Sequence, residues 1–229
     1  DHDALRALSK LKGAEKLNST WLGHLKKGTD KVIHPTFNVL VETGRTSCRS
    51  PNIQNPHRAT GLRECFIPRR GYLYAACDYS SLELCTLAQV CIWLFGSSNL
   101  ANSINAGVDP HLRLAAEILK ITYTEALDLM QSGDKQIRKV RQVSKAANFG
   151  YAGGMGPESF SSFASGYGLE LSLKESTELR ENWFLTWPEM RKYFNYVSSV
   201  TKHPDPILKQ FVSERYRGNV RFTSASNSY

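Results

Sequence analysis

Arg141, Lys145 and Phe149 stand at four-residue intervals within residues 135–150, so a helix there aligns two cations and an aromatic ring along nearly one face. Cations one turn apart reach different phosphates of a nucleoside triphosphate, and the helix's amino-terminal dipole adds favourable potential. A ring one turn further on lies against a base, a contact worth ~1–3 kcal/mol in single-stranded nucleic-acid sites. Upstream, the apolar run 72–77 delivers a lone carboxylate, Asp78, followed by Tyr79, Ser80 and then Glu83. A rigidly held carboxylate of this kind is a natural place for the magnesium that a triphosphate carries. The chemistry these groups have in common is phosphoryl or nucleotidyl transfer.

Each group also has a plain reading. An isolated RxxxKxxxF is usually a solvated basic stripe that ends in a core aromatic. Asp78 before a helix reads as an N-cap, Glu83 as a surface residue and His111 as an exposed first-turn residue, although a helix amino terminus also welcomes a phosphate oxygen.

The elements that must position these groups follow from periodicity and punctuation. Leu5, Leu8, Leu11, Leu22 and Leu25 predict a long helix or a broken pair, ended by Gly28. Alternation over 33–41 predicts a strand, followed by a polar loop over 43–56. The run 72–77 reads as a buried strand, and Leu84, Leu87, Ala88 and Cys91 change to helical spacing, which places Asp78 at a strand-to-helix junction. Asp109-Pro110 opens a helix with His111 in its first turn. Thr122 to Glu125 and Ser172 to Glu175 have the capping-box form, Asp134 caps the helix that carries Arg141 and Lys145, and Trp187-Pro188 opens a further helix. The runs on either side of Arg217-Gly218-Asn219 are expected to pair as a hairpin. Helices, a strand, a loop, a strand and then many helices make the class α+β.

Composition sets bounds. The chain has 229 residues, 41% of them hydrophobic, enough for a sizeable core. A formal charge of +8 favours a polyanionic partner, nucleic acid first, because each neutralised phosphate releases counterions. Five cysteines without a CxxC pair point to a reducing compartment. The longest apolar stretch, residues 90–95, is too short to span a bilayer and the amino terminus lacks signal-peptide character, so the expectation is a cytoplasmic protein with no membrane association.

The stretch Asp78-Tyr-Ser-Ser-Leu-Glu-Leu84 resembles motif A of the family A DNA polymerases (the bacterial DNA polymerase I type), commonly DYSQIEL, and the stretch from Arg141 to Gly154 resembles their motif B. Thr43-Gly-Arg45-Thr-Ser, Pro51-Asn-Ile-Gln54-Asn55, Arg63-Glu-Cys-Phe66 and Asp109-Pro-His111 are similar to further segments of that family, in the same order. The resemblance covers nearly the whole chain. It implies a polymerase palm with a small antiparallel sheet plus mostly helical fingers, divided as the end of a thumb helix (1–28), part of the palm with motif A (29–95), fingers with motif B (96–202) and a hairpin returning to the palm (203–229).

By the same resemblance, Asp78 binds both catalytic Mg²⁺ ions, with the backbone carbonyl of Tyr79 helping on the nucleotide-bound one, and Asp78 and Lys145 are the catalytic pair. Ser80, His111, Arg141, Lys145 and Phe149 contact the incoming dNTP, while Glu83 is the steric gate against a ribose 2′-hydroxyl. Thr43, Arg45, Gln54, Asn55 and Arg63 touch primer-template DNA near the minor groove, where acceptors are nearly sequence-independent.

Ser81, Cys85 and Gly153 depart from the family pattern, which usually has Gln, Arg and Tyr there. The Gly-Gly pair looks like phage polymerases of the family, and glycines 150–156 suggest a helix end more mobile than one closed by tyrosine. No His-Asp-Glu motif C follows Gly154, so the expectation is a polymerase domain truncated before motif C, with the second carboxylate supplied by a missing carboxy-terminal segment or a separate chain. Template-directed DNA synthesis by a two-metal mechanism is the leading reading. The alternatives are a non-catalytic nucleic-acid or nucleotide binding module and a basic helical domain with no nucleotide site.

Overall fold

The computed structural model describes residues 2–26, 32–56, 61–165 and 168–227. The chain divides into two compact units, Asp1–Cys77 and Asp78–Tyr229.

The first unit opens with helix α1 (His2–Lys16), which continues through a π-helical stretch, Leu17–Leu22, into the short α2 (Gly23–Leu25). The expected end at Gly28 lies outside the described residues. Leu5, Leu8 and Leu11 are all at least half exposed, so the leucine spacing marks a helix here without a buried face. Trp21 is the buried exception and meets Phe66 edge-on at 6.0 Å between ring centroids.

Strands β1 (Thr36–Asn38) and β2 (Ser47–Arg49) pair antiparallel, with Phe37 opposite Cys48. The strand expected over 33–41 is therefore only its middle third, and the expected polar loop contains β2. Gly44 (φ 78°) makes the turn between them and donates its N–H to the Val41 carbonyl at 2.9 Å.

The largest correction concerns residues 72–77. They form no strand among the described residues, and Tyr72, Leu73 and Tyr74 are 70%, 93% and 67% exposed. An apolar run becomes a strand only when a neighbour accepts its ladder hydrogen bonds, and here no ladder partner is described. With Phe66, Ile67 and Arg69, these three residues line an open cavity of about 570 Å³, and the Tyr74 hydroxyl donates to the Ile67 carbonyl at 2.9 Å.

The second unit is mostly helical, in the order α3 (Leu82–Phe95), α4 (Asn99–Asn105), α5 (Pro110–Leu119), α6 (Tyr123–Ser132), α7 (Lys135–Gly150), α8 (Pro157–Ser165), α9 (Leu173–Thr186) and α10 (Glu189–Thr201). A hairpin of β3 (Leu208–Lys209) and β4 (Tyr216–Arg217) and a short α11 (Phe222–Ser226) complete it. The capping signals are all used. Thr122 and Ser172 form reciprocal capping boxes with Glu125 and Glu175, Asp134 accepts from Ile137 N–H at 2.9 Å, and Pro110 sits at the first helical position behind Asp109.

The hairpin turns earlier than its sequence suggested. Gln210 N–H donates to the Arg215 carbonyl at 2.9 Å and Glu214 adopts φ 55°, so Arg217 belongs to a strand, and residues 222–226 form a helix instead of extending that strand.

The core gathers Leu84, Ala88 and Cys91 from α3, Ala147 from α7, Phe160 from α8, Trp183 from α9, and Met190, Tyr193 and Val197 from α10. Full burial of each large apolar side chain contributes roughly 1.5–3 kcal/mol. A smaller cluster, Leu112, Ala115, Ala116, Ala126 and Ile137, locks α5, α6 and α7 together.

Candidate functional site

Helix α7 buries Ile137, Ser144, Ala147 and Asn148. That spacing marks one helical face, and it leaves Arg141 half-buried, Lys145 exposed and Phe149 half-buried on the flank beside it. The cationic and aromatic stripe read from the sequence is present as such.

The amino-terminal turn of α5 is fastened across this helix at two points. Asp109 Oδ1 accepts from the His111 and Leu112 backbone N–H groups (2.8 and 3.4 Å), capping α5, while its Oδ2 accepts from Arg141 Nη2 at 2.7 Å and Nε at 2.8 Å. Burial alone would push the Asp109 carboxyl up. The Arg141 hydrogen bond, the His111 N–H and the guanidinium charge outweigh it and hold the carboxyl below its ordinary range.

The second point is Asn148, which is 1% exposed. Its Oδ1 accepts from the indole N–H groups of Trp183 (3.0 Å) and Trp187 (3.1 Å), and its Nδ2 faces the Pro110 carbonyl (3.2 Å) and His111 Nδ1 (3.0 Å). Indole nitrogens only donate, so the amide orientation is fixed: oxygen toward the tryptophans, nitrogen toward α5. All four of its hydrogen-bonding positions are filled.

His111 is 5% exposed, contrary to the exposed first-turn position that its place in the sequence suggested. Its ring lies 5.7 Å from that of Phe149. Burial, aided by the charges of Arg141 and Lys145 and opposed by that of Asp109, lowers its pKa to about 4. The imidazole is therefore neutral near pH 7.

Asp78, Tyr79 and Ser80 are exposed and precede α3 as irregular chain. Asp78 is not its N-cap. Ser81 holds that position in a left-handed conformation (φ 53°) without a side-chain cap, and its carbonyl accepts from the Leu84 and Cys85 N–H groups, both at 3.0 Å. A non-glycine residue at positive φ costs on the order of 1 kcal/mol and turns the chain sharply where Asp78 meets the helix. Glu83 follows in the exposed first turn. Among the described residues no group of three or more His, Cys, Asp or Glu side chains is arranged to hold a metal ion.

The residues expected to meet DNA belong to the first unit. Gln54 Nε2 donates to Thr46 Oγ1 at 2.9 Å, Asn52 Oδ1 accepts from Gln54 N–H at 3.1 Å, and Arg45 N–H donates to Thr43 Oγ1 at 3.4 Å. Asn55 N–H donates to the Asn52 carbonyl at 3.4 Å, and Arg63 Nε donates to the Pro56 carbonyl at 3.1 Å. These local bonds shape the segments around β2 that carry Thr43, Arg45, Gln54 and Asn55, while Arg63 opens a short 3-10 helix, Arg63–Cys65.

Sequence reasoning missed two parts of this arrangement, Asn148 as the link between α5, α7 and α9, and the use of the glycines after α7. A Cβ on Gly150 would stand 2.7 Å from Phe160 Cδ2, and one on Gly154 (φ 80°) 2.9 Å from both Phe222 Cε1 and Ser226 Oγ. The Gly153 carbonyl accepts from Ser226 Oγ at 2.9 Å. The glycines thus admit α8 and α11 against the end of α7, forming a packed junction. Tyr151 is fully buried there, donating to the Ser176 carbonyl at 2.6 Å, and burial pushes its pKa up.

A family model described as DNA polymerase family A matches residues 1–225. The chain belongs to DNA polymerase family A. It is 30% identical over 226 residues to DNA polymerase I of Aquifex aeolicus, covering 97% of this chain and 35% of that protein. It is 29% identical over 210 residues to DNA polymerase I of Bacillus caldotenax, covering 88% of this chain and 22% of that one. The POL domain of Pol1 from M. smegmatis, solved in complex with DNA primer-template and dNTP, superposes over 100% of this chain and 41% of its own with a TM-score of 0.66 at 24% identity, a likeness of fold. Family membership thus extends across both units, although the chain spans well under half the length of these relatives. No helix among the described residues is long and apolar enough to cross a membrane.

Proposed function

We propose that this chain contributes the nucleotide-binding and primer-template-binding parts of a template-directed DNA polymerase, in which a primer 3′-hydroxyl attacks the α-phosphate of a dNTP. The observation that carries this reading is the fastening of Asp109-Pro-His111 onto α7, which sets His111 beside Arg141, Lys145 and Phe149 on two packed helices. A triphosphate tail needs several donors from one rigid surface, and two helices joined by a guanidinium that grips one carboxylate oxygen and by a saturated amide form such a surface. In this reading Lys145 and Arg141 grip the phosphates, Phe149 flanks the sugar and base, Glu83 excludes a 2′-hydroxyl and Ser80 lines the same pocket.

The donors at the start of α3 suit Mg²⁺. The Asp78 carboxylate and the Tyr79 carbonyl are hard oxygens, and Mg²⁺ is commonly held by one or two carboxylates together with substrate phosphates and water. When bound, Mg²⁺ supplies neutralisation of phosphate charge and activation of the attacking hydroxyl. A second carboxylate, from a following segment or a separate chain, completes a two-metal site in this reading. Thr43, Arg45, Gln54, Asn55 and Arg63 contact the minor groove of primer-template DNA. Residues 1–28 serve as the end of a thumb helix, 29–95 as palm, 96–202 as fingers and 203–229 as the return to the palm.

The test is binding of a dNTP with Mg²⁺ by this chain and primer extension by the chain placed within a full-length polymerase of the family. Lys145→Ala is expected to weaken dNTP binding roughly 10- to 100-fold, the loss of one charge-assisted contact. Asp78→Ala is expected to abolish extension while primer-template binding survives. Salt-sensitive DNA binding without incorporation, even in that context, would instead favour a non-catalytic binding module.

A further inference from the structure

We infer that Asn148 is a positioning residue that fixes His111 as the Nε2–H tautomer, so that His111 offers a triphosphate a neutral hydrogen-bond donor. This rests on the proposed function for the identity of the ligand, but the tautomer assignment stands on geometry alone. Two indole N–H groups, Trp183 and Trp187, occupy Asn148 Oδ1 and compel the amide nitrogen to face His111 Nδ1. An amide N–H₂ has no lone pair to offer, so Nδ1 must accept, and the ring proton must sit on Nε2. No hydrogen bond to Nε2 is found among the described residues, and its N–H is the donor assigned here to the ligand.

The assembly is costly to build for packing alone. A buried asparagine with four partners and two tryptophans committed to one oxygen is a high-stakes polar network, where an apolar side chain would fill the same space. Its consequence at His111 is a donor whose tautomer does not fluctuate. The charged and titratable groups facing His111 are Asp109 at the α5 amino terminus and Arg141 and Lys145 on α7. The two cations oppose a third positive charge on the ring, so in this site the cations supply charge and His111 supplies direction.

The experiment is ¹⁵N spectroscopy of the His111 imidazole in the intact chain, with and without a dNTP and Mg²⁺, in the unsubstituted protein and in Asn148→Asp, together with dNTP affinity measured in these two proteins and in each combined with His111→Gln. An Asp carboxylate offers an acceptor to Nδ1 and so switches the ring to the Nδ1–H or protonated form. The unsubstituted chain is expected to show the Nε2–H pattern between pH 5.5 and 8, with the Nε2 signal shifting when dNTP binds. Asn148→Asp is expected to lose that pattern and to weaken dNTP binding roughly tenfold, the worth of one directed hydrogen bond to a charged group. In the His111→Gln background, where the donor is an amide that needs no tautomer control, Asn148→Asp is expected to cost less than threefold. An Nδ1–H pattern in the unsubstituted chain overturns the inference without reference to any variant's folding. Equal losses from Asn148→Asp in both backgrounds overturn it too, since the effect would then not pass through His111. The Nε2–H pattern with no dNTP binding by the unsubstituted chain upholds the tautomer and defeats the nucleotide-site reading instead.

Discussion

Asp109 and Arg141, 32 positions apart, are joined through a single carboxylate oxygen that takes both Nη2 and Nε of the guanidinium, while the other oxygen of Asp109 caps the helix that follows. One side chain therefore ends a loop, starts α5 and ties it to α7. The two duties are separable by substitution. Asparagine is as good an N-cap as aspartate but cannot balance a guanidinium, so Asp109→Asn is expected to cost about 1 kcal/mol, modest because both groups are partly exposed. Asp109→Ala also gives up the cap, raising the cost to about 2 kcal/mol. Denaturant midpoints read both contributions: equal losses in the two variants would mean that the cap contributes nothing, and no loss in Asp109→Asn would mean that the ion pair contributes nothing.

Acid should weaken the second unit in two stages. The His111 pKa is lowered from 6.5 to about 4 on folding, so the unfolded chain binds the extra proton first. The stabilisation from keeping the ring neutral is complete above pH 6.5 and drains away as the pH falls toward 4, by up to roughly 3 kcal/mol. The Asp109 carboxyl is also depressed, and its contribution is complete above the ordinary carboxylate range and lost only as the pH falls through its folded value. Thermal unfolding followed between pH 7 and 4 is expected to show the first loss in the unsubstituted chain and a flatter profile in His111→Gln.

The glycines closing α7 should differ sharply in their tolerance of a methyl group. Gly150→Ala and Gly154→Ala are expected to destabilise by about 1–3 kcal/mol, the first by collision with Phe160 and the second by collision with Phe222 and Ser226 at positive φ. Gly156, with nothing within 4 Å of a Cβ, is expected to change by less than ~0.5 kcal/mol on substitution by alanine. Comparable effects at all three positions would contradict the packed junction.

Tyr151→Phe removes a buried hydroxyl that donates to the Ser176 carbonyl at 2.6 Å, a carbonyl that keeps its helical partner within α9. The expected loss is ~1–2 kcal/mol in equilibrium unfolding, with dNTP binding unchanged because the side chain is wholly inside the core. A change in dNTP affinity without a change in stability would move Tyr151 from the core into the site.

What the sequence determined by itself was whatever is encoded locally. Capping residues Asp109, Thr122, Asp134 and Ser172 satisfy backbone groups within their own first turn, so their signals survive any tertiary context. The spacing of Arg141, Lys145 and Phe149 is legible for the same reason, since one helix repeat places all three. The ordered motifs carried family membership, which depends on residue identity alone.

Tertiary structure decided what depends on distant partners. Residues 72–77 have the composition of a strand, but a ladder needs a neighbour, and the chain there is exposed and irregular. Ser47–Arg49 reads as polar loop yet pairs with Thr36–Asn38, because the partner strand supplies what local propensity does not. Asn148, between Lys145 and Phe149, carries no local signal along the chain. Only the folding of Trp183 and Trp187 onto it, some 35 residues away in sequence, fixes which way its amide faces and hence which nitrogen of His111 carries the proton. Hydrogen-bond direction is a property of the assembled neighbourhood, and no period or composition along the chain records it.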